Sequence, residues 1–302
     1  MKLKILGCFS ASPSKNSFPS SQILDIKGNK ILIDCGEGTQ IQLRRYGIKF
    51  SEIENIFISH LHGDHFFGLP GLISTFRLLG RTKELNIFGP KGIRKAIELL
   101  MKLGKSWINF DLNFVELEEK NTVKLKENDS FSVSTIPLKH RIYTNGFLFT
   151  EKNIKKKIKI EKIEKLNIDK SLYNNISLGK DVILDDGTRI LNKDLTYPMK
   201  KDIVYSYCSD TSYSKDIIPL IEGSDLLYHE STFLEKHLEL AKKTKHSTAV
   251  QAAKIAKKAN CKKLLLGHFS SRYKNLEDFK LEAETIFDNV ELAKDGKEFD
   301  IL

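Results

Sequence analysis

The chain predicts an α/β fold. Short apolar, β-branched runs alternate along its 302 residues with segments of helical periodicity, the pattern of strands threaded between helices. That length suits one large domain or two smaller ones and is enough to bury a sizeable core. No apolar run approaches the ~18 residues needed to cross a bilayer, so a membrane location is not expected.

The elements follow in order. In the opening "MKLKILGCFS" the apolar part is only Ile5-Leu6, far short of the ~7–15 residues of a signal-sequence core, so Lys2–Leu6 reads as a first strand. Apolar runs predict further strands at Ser21–Ile26, Lys30–Asp34, Asn55–Ser59, Leu85–Phe88, Ser130–Ile136, Ile203–Cys208, Leu226–Tyr228 and Lys263–Leu266. Helical spacing predicts helices at Thr39–Tyr46, Leu69–Leu79, Gly92–Leu103, Ser214–Ile221, Thr248–Ala259 and Leu276–Phe287. The helix at Thr248 places Val250, Ala253, Ile255 and Ala256 at helical spacing, with Ser247 as its expected cap. Trp107 and the phenylalanines read as core. His229 reads as a buried strand-end histidine bonded to backbone, and His237 as a surface residue.

One segment breaks the rhythm. From Glu151 to Lys170 there are eight lysines against four acids, and "LYNNISLGKDVILDDGTRIL" follows, rich in turn residues. Glu151–Leu195 therefore reads as an insertion projecting from a core made of residues 1–150 and 196–302. The whole chain is basic: 49 Lys and Arg against 39 Asp and Glu give a net charge of +10, which suits a polyanionic partner. Its four cysteines, Cys8, Cys35, Cys208 and Cys261, form no CxxC pair, which argues for a reducing cytoplasm and against a thiolate zinc knuckle.

The chemistry concentrates in "SHLHGDH". His60 and His62 are two apart, so an extended segment turns both to one side, and Gly63 lets the chain turn to aim Asp64 and His65 at a second point. Imidazole and carboxylate are what Zn²⁺ accepts, but this turn cannot close two sites alone. Further candidates end three apolar stretches: His140 in "FSVSTIPLKH", Asp210 in "IVYSYCSD" and His268 in "KLLLGH". In open α/β sheets functional groups gather beyond the carboxyl ends of strands. A carboxylate shared between two metals gives Asp210 a natural place, and a metal pair suits in-line displacement at a phosphodiester.

These residues resemble the metallo-β-lactamase superfamily, and within it the ribonuclease Z family of tRNA 3′-processing endonucleases. The resemblance runs in order along "IDCGEGTQIQLRRYGIKFSEIENIFISHLHGDHFFGLPGL", "PLKHRIYTNGFLF", "SDTSYS", "HESTF", "KHSTAVQAA" and "GHFSSRY". It implies a four-layer αβ/βα sandwich with a projecting basic arm, and two zinc ions per subunit. His60, His62, His140 and Asp210 would hold one ion; Asp64, His65, Asp210 and His268 would hold the other. It further implies Asp64 as proton acceptor and His246 as the group assisting leaving-group protonation, with Glu230 orienting it. Arg272 lies close enough in sequence to His268 to contact a phosphate.

The implied activity removes the 3′ trailer of precursor tRNA, leaving a 3′-hydroxyl on the tRNA and a 5′-phosphate on the trailer. The implied assembly is a cytoplasmic homodimer whose arm, through lysines such as Lys155, Lys156 and Lys157, holds tRNA, with no DNA partner expected. Tyr173 could stack on RNA or pack within the arm. Two stretches depart from the family pattern: the opening loop "CFSASPSKNSFPSS", expected to leave the core chemistry intact, and "LGKDVILDDG", which lacks a Gly-Pro pair. The alternative reading is a superfamily phosphodiesterase for small or cyclic phosphodiesters. A non-catalytic RNA-binding module with a structural metal is disfavoured by the thiolate-free ligand set.

Overall fold

The computed structural model describes residues 1–302. In chain order the strands are β1 (Lys2–Gly7), β2 (Ser21–Ile26), β3 (Asn29–Ile33), β4 (Ile53–Phe57), β5 (Leu85–Pro90), β6 (Leu112–Leu117), β7 (Lys124–Glu127), β8 (Phe131–Pro137), β9 (Asn145–Glu151), β10 (Val182–Ile183), β11 (Arg189–Ile190), β12 (Ile203–Cys208), β13 (Leu226–Glu230), β14 (Leu264–Gly267), β15 (Val290–Leu292) and β16 (Glu298–Asp300). The helices are α1 (Thr39–Arg45), α2 (Gly63–Phe66), α3 (Leu69–Leu78), α4 (Ile93–Leu103), α5 (Ile160–Lys165), α6 (Tyr173–Ser177), α7 (Asn192–Leu195), α8 (Leu238–Thr244), α9 (Ala249–Lys258) and α10 (Glu277–Glu284). No helix is long and apolar enough to cross a membrane.

Two seven-stranded sheets form the body, ordered β16-β1-β2-β3-β4-β5-β6 and β15-β14-β13-β12-β9-β8-β7. Strand alternation explains how they stack. In β3, Ile31 and Ile33 enter the core shared with the second sheet, while Leu32 faces the opposite way, into the core under α1, α3 and α4. Phe57 does the same for β4. It stacks on Phe88 at 4.4 Å and meets the edges of Phe147 and Phe149 at 5.3 and 5.6 Å, tying the sheets together just below the "SHLHGDH" turn. On the far side α9 and α10 cover the second sheet. Ala249, Ala252, Ala253 and Ala256 are fully buried there, and their small side chains let α9 sit close to the strands. The four layers expected for the fold are present.

Several expectations need correction. The cap of α9 is Thr248 rather than Ser247: its hydroxyl accepts from the Gln251 N–H while the Gln251 side chain accepts from the Thr248 N–H. The segment at Ser214 is a 3₁₀ turn, Lys215–Leu220, because Pro219 cannot donate an α-helical bond. Trp107 is not core; it lies 78% exposed beyond α4, and Phe67 is exposed too. Strands β6, β7, β9, β15 and β16, not expected from the sequence, complete the sheets. The insertion leaves after Glu151 and returns at Ile203, which pairs with Glu151 across the neck, so it runs seven residues past the expected Leu195. It has its own small core of Ile163, Ile168, Ile176, Val182 and Leu195, against which Tyr173 packs. Where the family pattern has its Gly-Pro pair, β10 and β11 form a short hairpin turning at Gly187.

Candidate metal centre

Strand ends build the site. Asp34 follows β3, the turn holding His60 to His65 follows β4, Asp210 follows β12, Glu230 ends β13, and His268 follows β14. His140 comes from the β8–β9 connection and His246 from the link between α8 and α9. Asp34, Asp210 and His268 adopt φ of +55°, +39° and +59°, a left-handed conformation that non-glycine residues rarely take. Each turns its chain sharply off the strand and into the cleft between the sheets. The turn after β4 fits only because Gly68 is bare: a Cβ there would come within 2.2 Å of the Gly36 carbonyl oxygen.

Every residue expected as a ligand lies in one of two tight groups. His60 Nε2 lies 2.9 Å from His62 Nδ1, which lies 3.3 Å from His140 Nε2; Asp210 Oδ2 is 3.4 Å from His60 and 3.6 Å from His140. The second group is equally tight. His65 Nε2 and His268 Nε2 are 3.2 Å apart, and Asp210 Oδ1 lies 3.2 Å and 3.1 Å from them. Asp64 Oδ2 is 3.6 Å from His65 and 3.4 Å from His268. Asp210 thus turns one oxygen to each cluster. Donors around a tetrahedral Zn²⁺ at 2.0–2.1 Å sit roughly 3.3 Å from one another, so the spacing and the nitrogen–oxygen chemistry fit such an ion in both places.

Electrostatics agree. Burial pushes His60 and His140 down to about 4, leaving both neutral, the form that ligates. Burial opposes ionisation of Asp64 and Asp210, yet the facing histidines hold both well below the usual carboxylate range. His65 is raised despite its burial, because Asp210, Asp64 and Asp34 surround it. So many carboxylates in one buried pocket call for added positive charge.

Beside the clusters, His246 Nδ1 is 2.8 Å from Glu230 Oε1. Burial works against its charge, but the Glu230 carboxylate prevails and raises it to about 9. Glu230 also accepts from the Thr211 and Thr232 N–H groups. Arg272 stacks on Phe233, its guanidinium 5.2 Å from the ring centroid, at the rim. The arm lysines divide: Lys155 and Lys156 bond to Asn174 and Asn192 within the arm, while Lys157 stays exposed near the Tyr197 ring. His229 is buried and bonded to the Glu230 carbonyl, as read from the sequence.

Sequence reasoning missed five contributors. Asp34 Oδ2 is 2.7 Å from His65 Nδ1, and the carboxylate accepts from the Ser59 N–H and the Tyr207 hydroxyl. Ser59 and Thr232 lie behind ligands, which only the fold reveals. Arg141 lines the 410 Å³ cleft with Asp64, Asp210, His246 and His268, exposed and with no ion pair of its own. The opening loop matters as well: the Ala11 N–H, held at φ +69°, donates to Asp64 Oδ2 at 2.8 Å, so a stretch expected to leave the chemistry alone touches it.

The family described as Anti-Pycsar protein Apyc1 matches residues 1–287. A ribonuclease Z from Parabacteroides distasonis is 45% identical over 294 residues, 97% of both chains. A ribonuclease Z from Cytophaga hutchinsonii is 45% identical over 301 residues, covering 99% of this chain and 95% of that one. The crystal structure of the short form of human tRNase Z superposes with a TM-score of 0.72 at 29% identity, over 100% of both chains.

Proposed function

The chain belongs to the ribonuclease Z family and to the family described as Anti-Pycsar protein Apyc1, and from that membership we propose that it is a metal-dependent endoribonuclease removing the 3′ trailer of precursor tRNA. The observation that carries the reading is Asp210, whose two oxygens face two separate ligand clusters. We assign His60, His62, His140 and Asp210 to one Zn²⁺ and Asp64, His65, Asp210 and His268 to the other. Two such cations supply Lewis-acid stabilisation of the phosphoryl oxygens and make a neighbouring water more acidic.

The rest is the work of side chains. Asp64, ionised and steadied by the Ala11 N–H, accepts a proton from the water that attacks phosphorus. As the phosphorus–O3′ bond breaks, His246 gives a proton to that oxygen, and Glu230 keeps it charged for the task. The products are a 3′-hydroxyl on the tRNA and a 5′-phosphate on the trailer. Arg141 and Arg272, on the cleft wall and rim, are placed to meet backbone phosphates. Residues 1–151 and 203–302 form the catalytic body, and the inserted arm, with Lys157 and its exposed neighbours, is the distant grip on tRNA.

Incubation with a trailer-bearing precursor tRNA tests this. The cut should map near the discriminator base, vanish with chelator and return with added Zn²⁺. Cleavage that ignores the chelator, or none at all, would overturn the proposal.

A further inference from the structure

A ligating imidazole must present a bare nitrogen to the ion, so the proton of a neutral ring must sit on the other one. Two hydroxyls occupy the sites where that choice is made. The Thr232 Oγ1 donates to Glu230 Oε2 at 2.7 Å and lies 2.9 Å from His268 Nδ1. The Ser59 Oγ donates to Asp34 Oδ2 at 2.9 Å and lies 3.0 Å from His60 Nδ1. A hydroxyl has one proton, and an ionised carboxylate only accepts. With its one hydrogen directed to the carboxylate, each hydroxyl can meet the imidazole only as an acceptor. The ring must then carry its hydrogen on Nδ1, leaving Nε2 bare toward the cluster. The other Nε2 ligands need no relay. His65 Nδ1 reaches Asp34 at 2.7 Å and His140 Nδ1 reaches the Lys245 carbonyl at 2.8 Å, both acceptors directly.

We propose that Ser59 and Thr232 are positioning residues that lock the tautomer of one histidine in each metal cluster: Ser59 sets His60 in the three-histidine site, and Thr232 sets His268 in the site it shares with Asp64 and His65. The inference rests on the two-metal reading above. It assigns the two buried carboxylates, Asp34 and Glu230, a shared logic: each anchors a hydroxyl that sets a ligand.

Removing an outer partner of this kind weakens metal binding by about 10–100-fold. Metal-free wild type titrated with Zn²⁺ against a chromophoric chelator should take up two equivalents. Ser59→Ala and Thr232→Val should each keep one tight equivalent and weaken the other by that factor. With ¹¹³Cd²⁺ bound, the two variants should perturb different resonances, and Thr232→Ser, which keeps the hydroxyl, should behave as wild type. Folded variants that bind both equivalents as tightly as wild type, or that perturb the same resonance, would overturn the proposal. Should a variant fail to fold, ¹⁵N NMR of the metal-free wild type decides alone: protonated Nδ1 atoms on His60 and His268 support the relays, and bare Nδ1 atoms refute them. Because that measurement needs no metal, it separates a failure of the relays from a failure of the two-metal reading.

Discussion

Asp34, Asp210 and His268 each accept a left-handed backbone where a glycine would be comfortable, and all three serve the same pocket. Sequence reasoning found the last two because a polar ligand type closing an apolar run stands out. It passed over Asp34, which ends "ILID" in the same way, because nothing local says that His65 will lie 2.7 Å from it across the fold. Arg141 escaped for a related reason: its neighbour His140 absorbed the signal, and only the folded cleft makes the arginine's exposure meaningful. Its free guanidinium permits a prediction. Arg141→Gln should raise KM for precursor tRNA roughly 3–10-fold and reduce the salt slope of binding by about 1, the mark of one lost phosphate contact. Turnover at saturation and bound metal should stay unchanged, because Arg141 holds neither ligand nor proton. An unaltered KM and salt slope would remove it from the substrate path.

At the scale of elements, most strands and helices with strong periodicity were legible to within a residue or two, β2 and β12 at both ends, although α10 stops three residues short of the expected Phe287. Among those that escaped were elements whose residues look polar in isolation. Edge strand β7, "KLKE", belongs to the second sheet only because β8 offers it a partner. The arm is the instructive case. Its charge was visible, but its five-residue core was not, because Ile163 and Leu195 meet only when the chain returns. That private core makes the arm separable. Glu151 and Ile203 are antiparallel partners, so a two-residue Asn-Gly turn can join them in place of residues 152–202 and keep the β9–β12 pairing. The shortened protein should retain its activity on a small chromogenic phosphodiester while its affinity for precursor tRNA falls ~10-fold or more. Equal losses on both substrates would mean that the insertion supports folding of the body instead of gripping RNA.

For the whole molecule, the sequence disclosed the layers and the residues that gather in the cleft but misplaced Trp107, since a lone tryptophan is ordinarily core. Its exposure belongs to a wider asymmetry. Phe67, Leu78, Leu79, Leu99, Leu100 and Leu103 are also exposed, all on or beside the helices that cover the first sheet, whereas Leu281 is the only large exposed apolar residue on α9 or α10. One helical layer is thus apolar toward solvent and the other is not. We propose that a second copy covers it, because the inserted arm could then serve the neighbouring cleft. The expected wild-type species in sedimentation velocity is a dimer of the 34.5 kDa chain, and the paired changes Leu103→Asp and Trp107→Ser should yield folded monomers. Mixing supplies the functional test. Subunits lacking the arm and subunits carrying Asp64→Ala should each cleave precursor tRNA poorly alone. If one subunit's arm holds the RNA cut by its partner, mixed dimers join an intact cleft to an arm from across the interface and recover cleavage. A wild-type monomer at micromolar concentration, or mixed dimers no better than their parents, would show that each chain works by itself.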